Sequence, residues 1–277
     1  MKKIFFFLAV AGSTFFTSCS SDDDVASSIV LTSNVPTVVF GETFTLTVKT
    51  DLAVDVTAGS QFFVNNVAIS SNVFTPPTGG TYTIRAVNGT LTSADITVKV
   101  TAPLNSFVVN GTVYNTETSI LVYLGTDENS MNNWIAAGYN ALTENEMDVY
   151  FTTPQVGAVT LEYPTAANFV FGATPGSQFL YGIIGEDELE GDEESLTALN
   201  LNLTTINVPQ VAGDPQNWTY TYDAVFVGGE TVVGNFSGDY LFYNASTPAG
   251  KTTVQPIKRI HSSSLKNGAK KAYLNKK

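Results

Sequence analysis

The chain has 277 residues, 43% hydrophobic and 14% charged, with 12% aromatics, a composition apolar enough to fold and too apolar for bulk disorder. All 25 acidic residues lie at or before Asp239, eight of the 13 basic ones lie at or after Lys251, and no Lys or Arg stands between Lys99 and Lys251. The body therefore has no basic face for a phosphate backbone, which excludes nucleic acid as its partner. A single Cys (Cys19) excludes intrachain disulfide frameworks and CxxC metal sites, and a single His (His261) leaves nucleophilic triads and dyads the thinnest inventory.

Residues 1–18 read as a processing segment. Lys2 and Lys3 form a positive start, and an apolar run from Ile4 to Phe16 follows. That run is too short for a spanning helix, which needs about 20 residues. It closes in Phe16-Thr17-Ser18-Cys19, which resembles the lipobox of bacterial lipoproteins, with Phe16 where that family usually has Leu. The resemblance implies that Cys19 is lipidated and becomes the mature N-terminus, anchoring the chain in the membrane. More than one acyl chain makes such an anchor stable.

Ser20-Ser21-Asp22-Asp23-Asp24 follows at once and resembles the surface-export signal of Bacteroidota lipoproteins. The resemblance implies an outer-membrane protein facing the cell exterior. The alternative for residues 19–26 is a plain acidic tether on a periplasm-facing lipoprotein.

Residues 27–101 alternate with period two. Phe44, Leu46 and Val48 alternate with threonines; Tyr82, Ile84 and Ala86 do the same, as do Ile96, Val98 and Val100. This marks half-buried antiparallel strands, with Asn65-Asn66 and Asn88-Gly89 as turns. Six or seven short strands predict a small sandwich. Gly41-Glu42-Thr43-Phe44-Thr45-Leu46 and Gly79-Gly80-Thr81-Tyr82-Thr83-Ile84 resemble bacterial immunoglobulin-like domains. That resemblance implies a spacer or adhesion module without catalytic residues.

Ala102-Pro103 marks the boundary to a distal domain over 102–250. Asn110-Gly111 between apolar runs is a strong hairpin signal. Further strands are predicted over 119–124, 133–139, 146–152, 156–163, 178–184, 196–206, 217–227 and 231–243, the last two joined at Gly228-Gly229. The predicted fold is all-β throughout: an immunoglobulin-like sandwich followed by a larger antiparallel sandwich or barrel-like domain. The Asn110-Gly111 hairpin and the closing stretch Val233 to Tyr240 resemble uncharacterised β domains of Bacteroidota lipoproteins. Residues 251–277 form a basic tail, read as a solvated segment or as an arm on the acidic body.

Carboxylates are the remaining catalytic inventory. Glu144, Glu146 and Asp148 fall on one strand face, neighbours being roughly 6–7 Å apart. Glu146-x-Asp148 resembles the first two positions of the E-x-D-x-x-E signature of jelly-roll β-glucanases, but Phe151 stands where that family has its acid. The expectation is a polar outer face and no enzyme.

Glu186 to Glu194 holds seven acids in nine residues. It is read as a solvated acidic loop, with a loose Ca²⁺ site on Glu186, Asp187, Glu188 and Asp192 as the alternative, and no other cofactor is expected. Trp218, Tyr220 and Tyr222 share one strand face, opposite the polar Thr219, Thr221 and Asp223. They are either core or a platform for sugar rings, and Trp134 with Tyr139 is a second glycan candidate. The functional expectation is a lipid-anchored protein with a non-catalytic binding role. A polysaccharide is the first partner expected, and a protein partner or a scaffold the alternative.

Overall fold

A computed structural model describes residues 25–154, 176–184, 187–191, 194–207 and 216–244. The signal segment with Cys19, most of the tether, the predicted strand over 156–163 and the basic tail lie outside them. The described chain is all-β, with 19 strands and one 3₁₀ turn.

The first domain is a two-sheet sandwich. One sheet holds β1 (Ile29–Ser33), β3 (Phe44–Thr50) and β6 (Val73–Phe74). The other runs β2 (Thr37–Val39), β9 (Ile96–Thr101), β7 (Gly80–Asn88), β4 (Gln61–Val64) and β5 (Val67–Ile69), with β8 (Leu91–Thr92) on β7. Strand alternation drives the packing. Phe44, Leu46, Val48, Ile84, Ala86, Val98 and Val100 are fully buried in one shared core, while the threonines between them face outward.

Asn65 and Asn66 are both left-handed, with φ of 47° and 66°, which gives the two-residue turn that matches strand twist. Tyr82 closes the domain as an immunoglobulin-type tyrosine corner. Its hydroxyl donates to the Thr78 carbonyl at 2.9 Å and accepts from the Thr78 N–H at 3.2 Å.

The distal domain opens with the hairpin of β10 (Ser106–Val109) and β11 (Thr112–Asn115), turned at Asn110 and Gly111 with φ of 48° and 79°. Five strands then pair antiparallel in sequence: β12 (Thr118–Thr126), β13 (Met131–Tyr139), β14 (Glu146–Pro154), β15 (Gly176–Ile184) and β16 (Asp187–Gly191). A second meander follows, formed by β17 (Leu196–Asn207), β18 (Asn217–Phe226) and β19 (Thr231–Asn244).

The long strand β19 joins the two walls. Residues Thr231 to Asp239 pair with β18, while Tyr240 to Asn244 run parallel to Ser119–Tyr123 of β12. The single sheet thus curls so that its two walls enclose one core, with β15 meeting β17 on the far side.

Candidate functional site

The five aromatic side chains singled out from the sequence are core, which corrects the sugar-platform reading. Trp134, Trp218 and Tyr220 are at most 1% exposed, and Tyr139 and Tyr222 are also buried. Trp134 stacks on Phe151 and leans on Tyr123; Trp218 meets Tyr220 edge-on at 4.6 Å, and Tyr220 stacks on Phe236. No face of these rings is left for a sugar.

Their polar tips find buried partners, as large aromatics require. Trp134 Nε1 donates to Thr153 Oγ1 at 2.9 Å, and Trp218 Nε1 donates to Ser119 Oγ at 3.1 Å. Ser119 in turn donates to the Ala137 carbonyl and lies 3.2 Å from the Tyr220 hydroxyl. A serine in an apolar strand gave no sequence signal for this hub. Only the demand of a buried indole N–H for an acceptor pointed toward one.

Glu146 and Asp148 are not a wet outer face. They are 2% and 1% exposed on β14, on the side shared with Tyr150 and the buried cluster of Ile120, Val122, Ile135, Ala137 and Tyr139. No amide or alcohol donor among the described residues reaches either oxygen of Asp148. Burial, and then the charge of and hydrogen bond with Glu146, push the Asp148 carboxyl well above the ordinary aspartate value. Burial beside a second carboxyl favours the neutral form of Asp148, and at this depth the pair touches no polysaccharide. Glu144 sits apart, in the left-handed turn before β14, with φ of 58°.

The acidic run is also reorganised. Asp187 to Gly191 is not loop but the edge strand β16, paired with β15. Asp187 and Glu188 are exposed and, as strand neighbours, point to opposite faces. They do not converge on an ion, and no cluster of three metal-ligating side chains occurs among the described residues. Glu186 and Asp192 lie outside those residues.

Two features that the sequence did not signal stand out. The first is the joint between the domains. Lys99 Nζ of β9 pairs with Asp223 Oδ1 of β18 at 2.6 Å, and Thr231 Oγ1 donates to the Gly79 carbonyl at 2.8 Å. Asn235 Nδ2 donates to the Ala102 carbonyl at 3.3 Å. Ala102, Val108 and Val233 form a small buried cluster with Phe40 packed against it. Gly111 in the β10–β11 turn comes so close to Pro77 that a Cβ there would lie 2.8 Å from the Pro77 carbonyl oxygen.

The second feature is a cleft of about 550 Å³ on the open side of the first domain, between β4–β5 and the segment leading into β6. Phe62 and Ile69 supply its apolar lining, with Asp55, Ser60, Gln61 and Asn72 among its polar residues.

No protein-family model matches the chain, and no curated protein matches it significantly. Eight chains of solved structures do match. Among them is the surface layer protein SbsC, domains 4–9, at 15% identity and a TM-score of 0.21. The match covers 76% of this chain and spans 38% of that one. A score this low does not define a shared architecture.

Proposed function

We propose that the chain is a lipid-anchored outer-membrane protein, displayed at the cell surface, with a non-catalytic role. Its immunoglobulin-like domain and distal β domain act as one stiff stalk that presents a surface to a protein partner. The observation that carries this reading is the joint, where an ion pair, a hydrogen bond and the packing of Phe40 on the Ala102–Val108–Val233 cluster span the domain boundary. A flexible tether between independent modules needs none of these contacts.

Two further observations favour surface contact over chemistry or small-ligand carriage. The distal interior is filled by Trp134, Phe151, Trp218, Tyr220, Tyr222 and Phe236, and the Glu146–Asp148 pair is shut away from substrate. The burial of the aromatic rows moves the weight from glycan capture to protein contact. The anchor rests on the Phe16-Thr17-Ser18-Cys19 stretch and outward display on Asp22-Asp23-Asp24.

The test is palmitate labelling and protease shaving of intact cells that express the full chain beside Cys19→Ala. The expected result is a label that depends on Cys19 and a chain cut from outside. An unlabelled chain, or one protected on intact cells, contradicts the reading.

A further inference from the structure

The two walls of the distal sheet differ on their outer faces. β18 alternates buried and half-buried residues along its whole length, as a strand with one wet face does. β14 does not alternate: every residue from Glu146 to Thr153 is buried. Its inward Met147, Val149 and Phe151 belong to the enclosed core, and its outward Tyr150 belongs to the separate cluster around Ile135 and Ala137.

Every member of that cluster comes from β12, β13 or β14, and the residues packed against it come from the same sheet and the β13–β14 turn. Among the described residues, none from another layer joins it. Yet Ile135 and Ala137 are 0% exposed, and side chains standing upright on a bare sheet face do not reach that value. The face requires a second layer.

The same face is acidic. Across the ladder Asp148 stands opposite Tyr181, which stands opposite Glu190; Glu146 stands opposite Ile183, which stands opposite Glu188. Two of these carboxyl groups are buried in the face and two are exposed at its β16 rim. The distal domain offers them no cation before Lys251, and Lys99 is taken by Asp223. From Lys251 onward eight basic residues follow, interleaved with Val254, Ile257, Ile260 and Leu265.

The chain also leaves β19 beside this face. Leu241 packs on the cluster, and Asn244 is in register with Tyr123 of β12. The 33 residues of 245–277 can span about 110 Å when extended, against about 30 Å for the length of β14.

We propose that the basic segment 251–277 is the layer over the outer face of β12–β15, an arm of the chain clamped on its own distal domain. Ile257 and Ile260 seat on the apolar surface of Ile135 and Tyr150, and the lysines meet Glu188 and Glu190 at the rim. The proposal goes beyond the functional reading and depends on neither the anchor nor the partner.

The first test is zero-length carbodiimide cross-linking of the detergent-solubilised full chain, mixed equally from ordinary and nitrogen-15 cultures. The expected result is amide links from lysines of 251–277 to Glu188 or Glu190 within one isotope. This readout needs no variant.

The second is hydroxyl-radical labelling of the full chain and of its Ile257→Asp, Ile260→Asp double variant. Labelling of Tyr150 should rise at least fivefold in the variant, while the core residue Trp218 stays protected and reports that the domain is still folded. A variant that also exposes Trp218 has lost the domain, and the cross-links then decide alone. The proposal is overturned if no link joins 251–277 to β16, or if the links join the two isotopes, which would seat the arm of a second copy there. It is also overturned if Tyr150 stays protected in the variant, which would give the layer to residues 155–175.

Discussion

Val233 of the distal domain lies directly on Gly79 of the immunoglobulin-like domain, so close that a Cβ on Gly79 would stand 2.1 Å from Val233 Cγ2. Here glycine serves close approach, since its single hydrogen lets the two domains interlock. The carbonyl of the same residue accepts the Thr231 hydroxyl, so one position carries both the steric fit and a polar contact.

Gly79→Ala should therefore strain the joint by about 1–3 kcal/mol, the usual cost of overpacking. Val233→Ala should restore much of that loss in the double variant, because it removes both opposing methyl groups. Chemical denaturation of the two singles and the double measures the coupling. Additive losses would mean that the two side chains do not compete for one space.

Tyr82→Phe removes the hydroxyl that fixes Thr78, the residue preceding Gly79. A loss of about 0.5–1.5 kcal/mol is expected in the unfolding of the first domain. Because Thr78 sets the path of the loop at the joint, proteolysis at the domain boundary should also quicken. The corner thus links the core of the first domain to its seat on the second.

Asp148→Asn tests the buried carboxyl. The folded chain holds the Asp148 proton well above the ordinary aspartate value of 3.8 that applies in the unfolded chain. The stability this supplies is complete below that value and is lost as pH rises toward the raised folded pKa. Each pH unit of that window costs about 1.4 kcal/mol. Melting curves should show the unmutated chain losing stability from about pH 4 upward, and Asp148→Asn with a flatter profile and a higher Tm at pH 8. Parallel profiles for the two chains would count against a protonated Asp148.

Trp218→Ala should cost about 3–5 kcal/mol, as expected for a buried aromatic, and it also leaves Ser119 without the indole donor. The effect is read in thermal unfolding. A chain that kept its Tm while losing a surface interaction would restore Trp218 as an exposed ring.

Much of the architecture is legible in the alternation of side chains. β3, β7 and β9 declare themselves because one face is apolar and the other is threonine. The turns at Asn65-Asn66 and Asn110-Gly111 declare themselves because few residues adopt positive φ cheaply. The shared face of Trp218, Tyr220 and Tyr222 follows from period two, and the polar Thr219, Thr221 and Asp223 mark which side is wet. The same rule fails at Glu146 and Asp148, since periodicity tells which residues share a face but not whether that face meets water. β16 was hidden because seven acids in nine residues read as solvated loop, whereas pairing with β15 needs only backbone. Lys99 and Asp223 are 124 residues apart, and no local pattern connects them.

The ion pair itself is not the main support of the joint. Lys99 is 41% exposed and Asp223 16%, so Lys99→Met should cost no more than about 1 kcal/mol, and the loss should shrink in high salt. A larger, salt-insensitive effect would move the weight of the joint from the Gly79–Val233 fit to this pair.

The most direct test of the account is the distance between the two domains. Cys19 is the only native cysteine, so a Cys19→Ser chain can take spin labels at the exposed positions Val30 and Val227, one in each domain. Pulsed electron-electron resonance should give one narrow distance distribution, which Gly79→Ala broadens. A broad or multi-peaked distribution in the otherwise unmutated chain would show two independently moving modules and would contradict the stiff stalk.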